Sequence, residues 1–250
     1  MCGRYTLKTH RRKIQERFGV GELPEFAPRF NLGPTQDGLV VRTGDAPATR
    51  TAALLRWGLI PAWTKDRSSL PLLINARAET LAAKNAFRDS FKRRRCLVVA
   101  DGFYEWSRRG TLKQPYYFTV DHGEPFAMAG LWDSWRPPGA PAGETLETFA
   151  IVTTTANEIL EPHHDRMPVI LETNLHDDWL NPMLTDTGAL ERVLVPFPAM
   201  RMLARAVNAR VNNIKFDDPA CLEPPESAEA ARAKPPKPAH HGDQLDLGLG

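Results

Sequence analysis

Cysteine is scarce in this chain. Its 250 residues contain three, at Cys2, Cys96 and Cys221. An odd and scattered set provides neither a disulfide framework nor a metal-ligand spacing, so no metal and no other cofactor is expected. Long apolar runs are missing as well. Nothing approaches the roughly 20 consecutive apolar residues that cross a bilayer as a helix. Met1-Cys2-Gly3-Arg4 is not followed by the apolar core of a signal peptide. No membrane partner is therefore expected, and the expected compartment is the cytoplasm. A strong charge of one sign is also lacking. The net charge is +2, and residues 223–250 hold five acids and three bases, which leaves +4 on residues 1–222. That balance permits an anionic partner without demanding one. What the chain does have is length enough for one large domain with a real hydrophobic core.

Residues 9–18 read as a short amphipathic helix capped by Thr9, with Ile14 and Phe18 on one face and Gly19 ending it. Residues 21–36 are rich in proline and glycine and read as an extended loop. Residues 39–42 and 51–57 predict two paired strands. Residues 78–91 predict a helix. The apolar run 96–100 suits a buried strand and leads into Asp101-Gly102-Phe103-Tyr104-Glu105-Trp106. Residues 115–120, 126–132 and 148–154 are further strands, and 137–143 reads as a loop. Residues 157–160 start a short helix capped by Asn157, and 175–181 and 187–193 predict helices near the end. Strands and helices do not alternate regularly. The expected fold class is therefore α+β: a single domain over residues 1–219 with a mainly antiparallel, barrel-like sheet and flanking helices. Residues 220–250 are dominated by Pro, Ala and charged residues and predict a disordered tail.

Several residues carry potential chemistry. If Met1 is removed, Cys2 bears an α-amine and a thiol on adjacent carbons, with ordinary pKa values of about 7.7–8.0 and about 8.5. Such a residue condenses with an aldehyde to an imine and then closes through sulfur to a thiazolidine. Otherwise Cys2 is an ordinary second residue. Asn75 offers a donor and an acceptor that can orient a nucleophile, or it forms a turn after a strand. Glu105 lies among aromatics, where burial raises a carboxyl pKa toward acid–base use; alternatively it points outward from an edge strand. His164 is a candidate acid–base, and Arg166 a candidate phosphate ligand. Trp57 and Trp63 are either core or a stacking wall for nucleobases. Lys92-Arg93-Arg94-Arg95 reads as a solvated charged face.

Taken together, Cys2-Gly3-Arg4-Tyr5, residues 31–36, 57–63, 75–79, 102–106 and 164–168 resemble the SRAP family of abasic-site processing proteins. The resemblance covers about residues 2–215. It implies a single α+β domain with a positively charged channel for single-stranded DNA. It implies Cys2 as the crosslinking nucleophile, an active site completed by Asn75, Glu105 and His164, and DNA phosphates held by Arg4 and Arg77. The expected partner is single-stranded DNA carrying abasic sites, and the expected state a monomer. Some lyase activity and an autopeptidase step releasing Met1 belong to the same expectation. Two other classes stay open: a peptidase with Cys2 as N-terminal nucleophile, and a non-covalent single-strand binder. Finally, Gln244-Leu245-Asp246-Leu247-Gly248-Leu249 resembles the peptides by which bacterial repair proteins dock on the replication sliding clamp. Gln244 would sit at a pocket rim, with Leu245, Leu247 and Leu249 as anchors.

Overall fold

The computed structural model describes residues 2–44, 49–109, 112–141 and 143–226. In chain order the elements are β1 (Tyr5–Leu7), α1 (Arg11–Phe18), β2 (Arg29–Leu32), β3 (Asp37–Thr43), β4 (Arg50–Trp57), β5 (Asn75–Arg77) and α2 (Asn85–Arg93). They continue with β6 (Arg95–Ala100), β7 (Gly102–Arg109), β8 (Leu112–Val120), β9 (Phe126–Trp135), β10 (Leu146–Thr155), β11 (Arg166–Pro168) and β12 (Ile170–Leu171). Helices α3 (His176–Leu180) and α4 (Thr187–Glu191) and strand β13 (Met202–Ala206) complete the set.

Two sheets organise the molecule. In the first, β10 pairs with both β4 and β9, which closes β4-β3-β6-β9-β10 into a five-stranded barrel. The second is an open sheet in the order β13-β8-β7-β1-β2. Both faces of β6 and of most of β3, β9 and β10 are buried, so those stretches read as apolar runs rather than alternating ones, whereas β4 is partly exposed. Leu39 and Val41 face the helices, with Phe18, Phe91 and Trp179, while Val40 faces the open sheet, with Tyr5, Trp57 and Phe149. Cys96 is buried as expected. No helix among the described residues is long and apolar enough to cross a membrane.

The α+β class and the barrel-like antiparallel sheet are as expected, but local departures have clear causes. The first helix begins at Arg11 with His10 as its cap, because Thr9 is held elsewhere: its hydroxyl donates to Asp101 at 2.5 Å. Gly19 does end that helix, at φ 63°. Residues 78–91 are not one helix. Ala78–Thr80 forms a single tight turn, and the chain at Lys84 is extended (φ −79°, ψ 123°) before α2 starts at Asn85. Residues 157–160 make a turn in which Asn157 accepts from the Leu160 amide at 3.2 Å. The basic run is only half solvated. Lys92 and Arg93 are exposed, but Arg95 is buried in a cage of carbonyls from Phe91, Lys92, Trp179, Asn181 and Leu184.

Packing also runs past residue 219. The turn Pro219–Leu222 buries Cys221, and the Asn208 amide donates to the Glu223 carbonyl at 2.8 Å. The hexapeptide with Gln244, Leu245, Leu247 and Leu249 lies outside the described residues.

Candidate active site

The site lies on the seam between the two sheets, and each sheet contributes half of it. Cys2 lies three residues before the start of β1. That strand pairs antiparallel with β7, with Tyr5 opposite Phe103 and the Tyr104 amide donating to the Arg4 carbonyl at 3.0 Å. The register carries the chain end alongside Glu105. The barrel side comes from β10. Its C-terminal half pairs in parallel with β5, setting Asn75 opposite Ile151, and antiparallel with β11, setting Arg166 opposite Thr155. The Asn75 side-chain amide crosses the seam and donates to the Cys2 carbonyl at 2.9 Å. One hydrogen bond thus ties the first residues of the chain to the barrel.

Burial sets the electrostatics. Cys2 is fully buried, and its thiol is pushed well above the ordinary range, first by loss of solvent and then by the nearby Glu105 charge. Glu105 is itself 3% exposed, and its carboxyl is raised mainly by burial, with the His164 ring pulling the other way. A carboxyl in this state keeps its proton to higher pH and can give it to a leaving group. His164 is part-exposed at the rim. Its Nδ1 accepts from the Arg166 amide at 3.0 Å and lies 2.7 Å from an Asp165 carboxylate oxygen. Outside the seam, Glu105 and His164 face an open cleft of about 650 Å³ that Trp106, Lys113 and His163 also line. Among the described residues no group of three or more His, Cys, Asp or Glu could hold a metal ion.

The sequence profile of the SOS response associated peptidase (SRAP) family matches residues 1–214. This chain belongs to the SRAP family. The SRAP chain is 41% identical over 227 residues to the abasic site processing protein YoqW of Bacillus subtilis, covering 89% of this chain and 99% of that one. It is 31% identical over 265 residues to the abasic site processing protein HMCES of Gallus gallus, covering 90% of this chain and 78% of that one. Among solved structures it resembles a crystal structure from Bacteroides thetaiotaomicron, with a TM-score of 0.77, 27% identity, and coverage of 89% and 99%.

Within this SRAP site the structure gathers Cys2, Asn75, Glu105 and His164 and redistributes the residues expected to hold DNA. Arg77 is exposed at the end of β5. Trp63 is 55% exposed on a clamped loop, where the Ala62 amide donates to Asp133 and the Trp135 indole to the Thr64 carbonyl. Trp57 cannot stack on a base. It is fully buried between Tyr5 and Phe149, and its indole donates to the Ile74 carbonyl at 2.9 Å. Arg166 is likewise occupied. Both terminal nitrogens grip Glu79, at 2.7 and 3.0 Å, and one also reaches the Thr153 carbonyl at 2.6 Å. That bidentate grip uses the fork a phosphate would need, so Arg166 is a brace for the site rather than a phosphate ligand. Arg4 has a structural bond as well, donating to Asn31 at 2.8 Å and to the Val211 carbonyl at 3.0 Å.

Three contributors were not named as site residues from the sequence. Ser107 shares the β7 face of Glu105, two residues on, and bonds His163 Nδ1. His163 packs against Tyr116 and Phe118 and is kept neutral by burial, its pKa lowered to about 4. Asn31 is fully buried and its amide reaches the carbonyls of Val211, Asn213 and Phe216, which pins residues 211–216 beside Arg4. The period-two rule applied to β7 would have found Ser107; nothing in the sequence pairs Asn31 with residues 211–216.

Proposed function

We propose that this SRAP protein captures abasic sites in single-stranded DNA as a covalent adduct on Cys2, once Met1 has been removed. The observation that carries this reading is the Asn75 to Cys2 hydrogen bond beside a buried Glu105, whose carboxyl pKa is raised by that burial. The names of its relatives support the substrate class.

The electrostatics suggest an order of events. A buried thiol above its ordinary pKa is a poor first nucleophile at neutral pH. The α-amine therefore attacks the C1′ aldehyde of the ring-opened deoxyribose. Protonated Glu105 gives a proton to the departing hydroxyl of the carbinolamine, and water leaves as the imine forms. The Cys2 sulfur then adds to the imine carbon, and its proton passes to nitrogen. The product is a thiazolidine, with no oxidant or metal consumed. His164 at the rim would assist opening of the sugar ring. Loss of the C2′ proton from the imine instead expels the 3′ phosphate, which would give an associated lyase activity. An autopeptidase step would release Met1 and expose the amine.

The test is incubation with an oligonucleotide bearing one abasic site, followed by a denaturing gel. The wild-type protein should give a heat-stable adduct that Cys2→Ala abolishes. Cys2→Ser should leave an imine that is trapped only by borohydride. An undiminished stable adduct from Cys2→Ala would falsify the reading.

A further inference from the structure

The redistribution of cations around the site leaves a gap in the recognition of DNA. Arg166 is committed to Glu79, and Arg4 is tied to Asn31 and Val211. Arg77 is exposed at the end of β5, on the barrel side of the seam. On the open-sheet side, Lys113 is the one lysine or arginine lining the cleft that holds Glu105 and His164 among the residues whose side chains are described. His163, in the same wall, stays neutral near physiological pH.

Lys113 is also positioned, unlike most surface lysines. It lies at the start of β8, whose register sets Glu105 opposite Tyr116 and Trp106 opposite Pro115. Its ammonium sits 5.0 Å from the centre of the Trp106 ring. That ring is fixed in turn: the Trp106 indole donates to Asn212 at 2.6 Å, and the ring packs against Tyr104. An aromatic face attracts a cation and limits the directions it samples. The chain Asn212, Trp106, Lys113 therefore aims a positive charge into the cleft beside Glu105.

Resting on the proposed capture of abasic DNA, we infer that Lys113 is a second phosphate-binding residue, which takes a backbone phosphate of the abasic strand on the wall opposite Arg77. The abasic nucleotide has no base to recognise, so its sugar is located through its flanking phosphates. Two cations on opposite walls would hold the strand across the Cys2 amine instead of along one side of it.

The test uses the full chain and two oligonucleotides, one undamaged and one with a single abasic site. Neutralising one phosphate releases counterions, with a slope of about −0.7 in log K against log salt for single strands. Lys113→Met keeps the alkyl packing on Trp106 and removes the charge. It should weaken binding of the undamaged strand several-fold at low salt and make the slope shallower by about 0.7. Lys113→Arg should restore the slope. Methylphosphonate substitution, one phosphate at a time, then locates the contact on the abasic strand. One neutralised position beside the abasic nucleotide should slow crosslinking by wild type but add nothing further to Lys113→Met. An unchanged salt slope in Lys113→Met, or equal methylphosphonate penalties in both proteins, overturns the assignment while wild-type crosslinking leaves the capture reading intact. Absence of crosslinking by wild type overturns both.

Discussion

Trp57 and Trp63 belong to one short stretch of chain and meet opposite fates, and the difference divides the whole site into a floor and a rim. Trp57 is behind the floor. It is buried, its indole nitrogen is spent on the Ile74 carbonyl, and it packs the strand that presents Asn75. Cys2, Asn75 and Glu105 belong to the same region, where loss of water shifts thiol and carboxyl upward together. Trp63 is exposed, as Arg77 and Lys113 are, and His164 is part-exposed; these solvent-facing side chains make up what is called the rim. There the backbone is clamped and the side chains face solvent. In the floor a side chain acts through burial and fixed hydrogen bonds, so changing it alters stability and proton affinity. At the rim it acts through what it can touch, so changing it alters binding. The same residue type therefore does different work according to the side of the seam it occupies.

The sharpest way to break this division is to truncate both tryptophans. Removing a fully buried aromatic costs about 3–5 kcal/mol, so Trp57→Ala should lower the urea midpoint strongly. Trp63→Ala should leave that midpoint nearly in place and weaken single-strand binding by about 1–3 kcal/mol, the worth of one stacked base. Equal unfolding midpoints for the two variants would erase the distinction.

Glu105 gives a second test, on which stability and chemistry move in opposite directions. General acid–base groups contribute about 10²-fold or more, so Glu105→Gln should slow crosslinking by at least about that factor. Its folded-state carboxyl is raised, so its stabilising contribution is fully present below the unfolded value, near about 4.3, and is lost as pH rises through the folded value. Glutamine carries no such loss. Thermal melts should show Glu105→Gln more stable than wild type near about pH 8, with the gap closing toward about pH 4. A wild type that stays the more stable protein near about pH 8 would remove the buried-acid account.

The smallest effect is expected at Asn75. The hydrogen bond its side-chain amide donates to the Cys2 carbonyl is worth about 0.5–1.5 kcal/mol net. Asn75→Ala should slow adduct formation by about tenfold, since about 1.4 kcal/mol is a factor of ten in rate, while leaving affinity for undamaged single strands unchanged. A loss of that affinity would move Asn75 from floor to rim.

Much of this was legible in the chain itself. The apolar run of β6 announces a strand buried on both faces, and the mixture of elements announces α+β. Aromatic neighbours flag Glu105 as a desolvated acid, and an N-terminal Cys2 flags its chemistry. Seven strands escaped notice: β7, whose polar and aromatic mixture hides its pattern, and β1, β2, β5, β11, β12 and β13, which are too short to show one. Most of the short ones exist because a longer strand supplies their hydrogen bonds, as β7 does for β1, β8 for β13 and β10 for β5 and β11, while β2 is added at the sheet edge by β1. The interrupted helix at residues 78–91 has a similar cause. Parallel pairing of β5 with β10 fixes the chain up to Arg77, and α2 starts again where Phe87 and Phe91 can reach the barrel.

The amino-acid sequence by itself determined which groups are available: an amine and thiol on Cys2, an amide on Asn75, a carboxyl on Glu105, an imidazole on His164. Those follow from residue type and need no neighbour. Only the tertiary structure decided which cations remain for DNA and which tryptophan can touch it. Arg166 looks like a phosphate ligand until Glu79 occupies its fork, and Trp57 looks like a stacking platform until Tyr5 and Phe149 close over it. A guanidinium or an indole serves whichever partner the fold brings within about 3 Å, and that partner lies far away in the sequence.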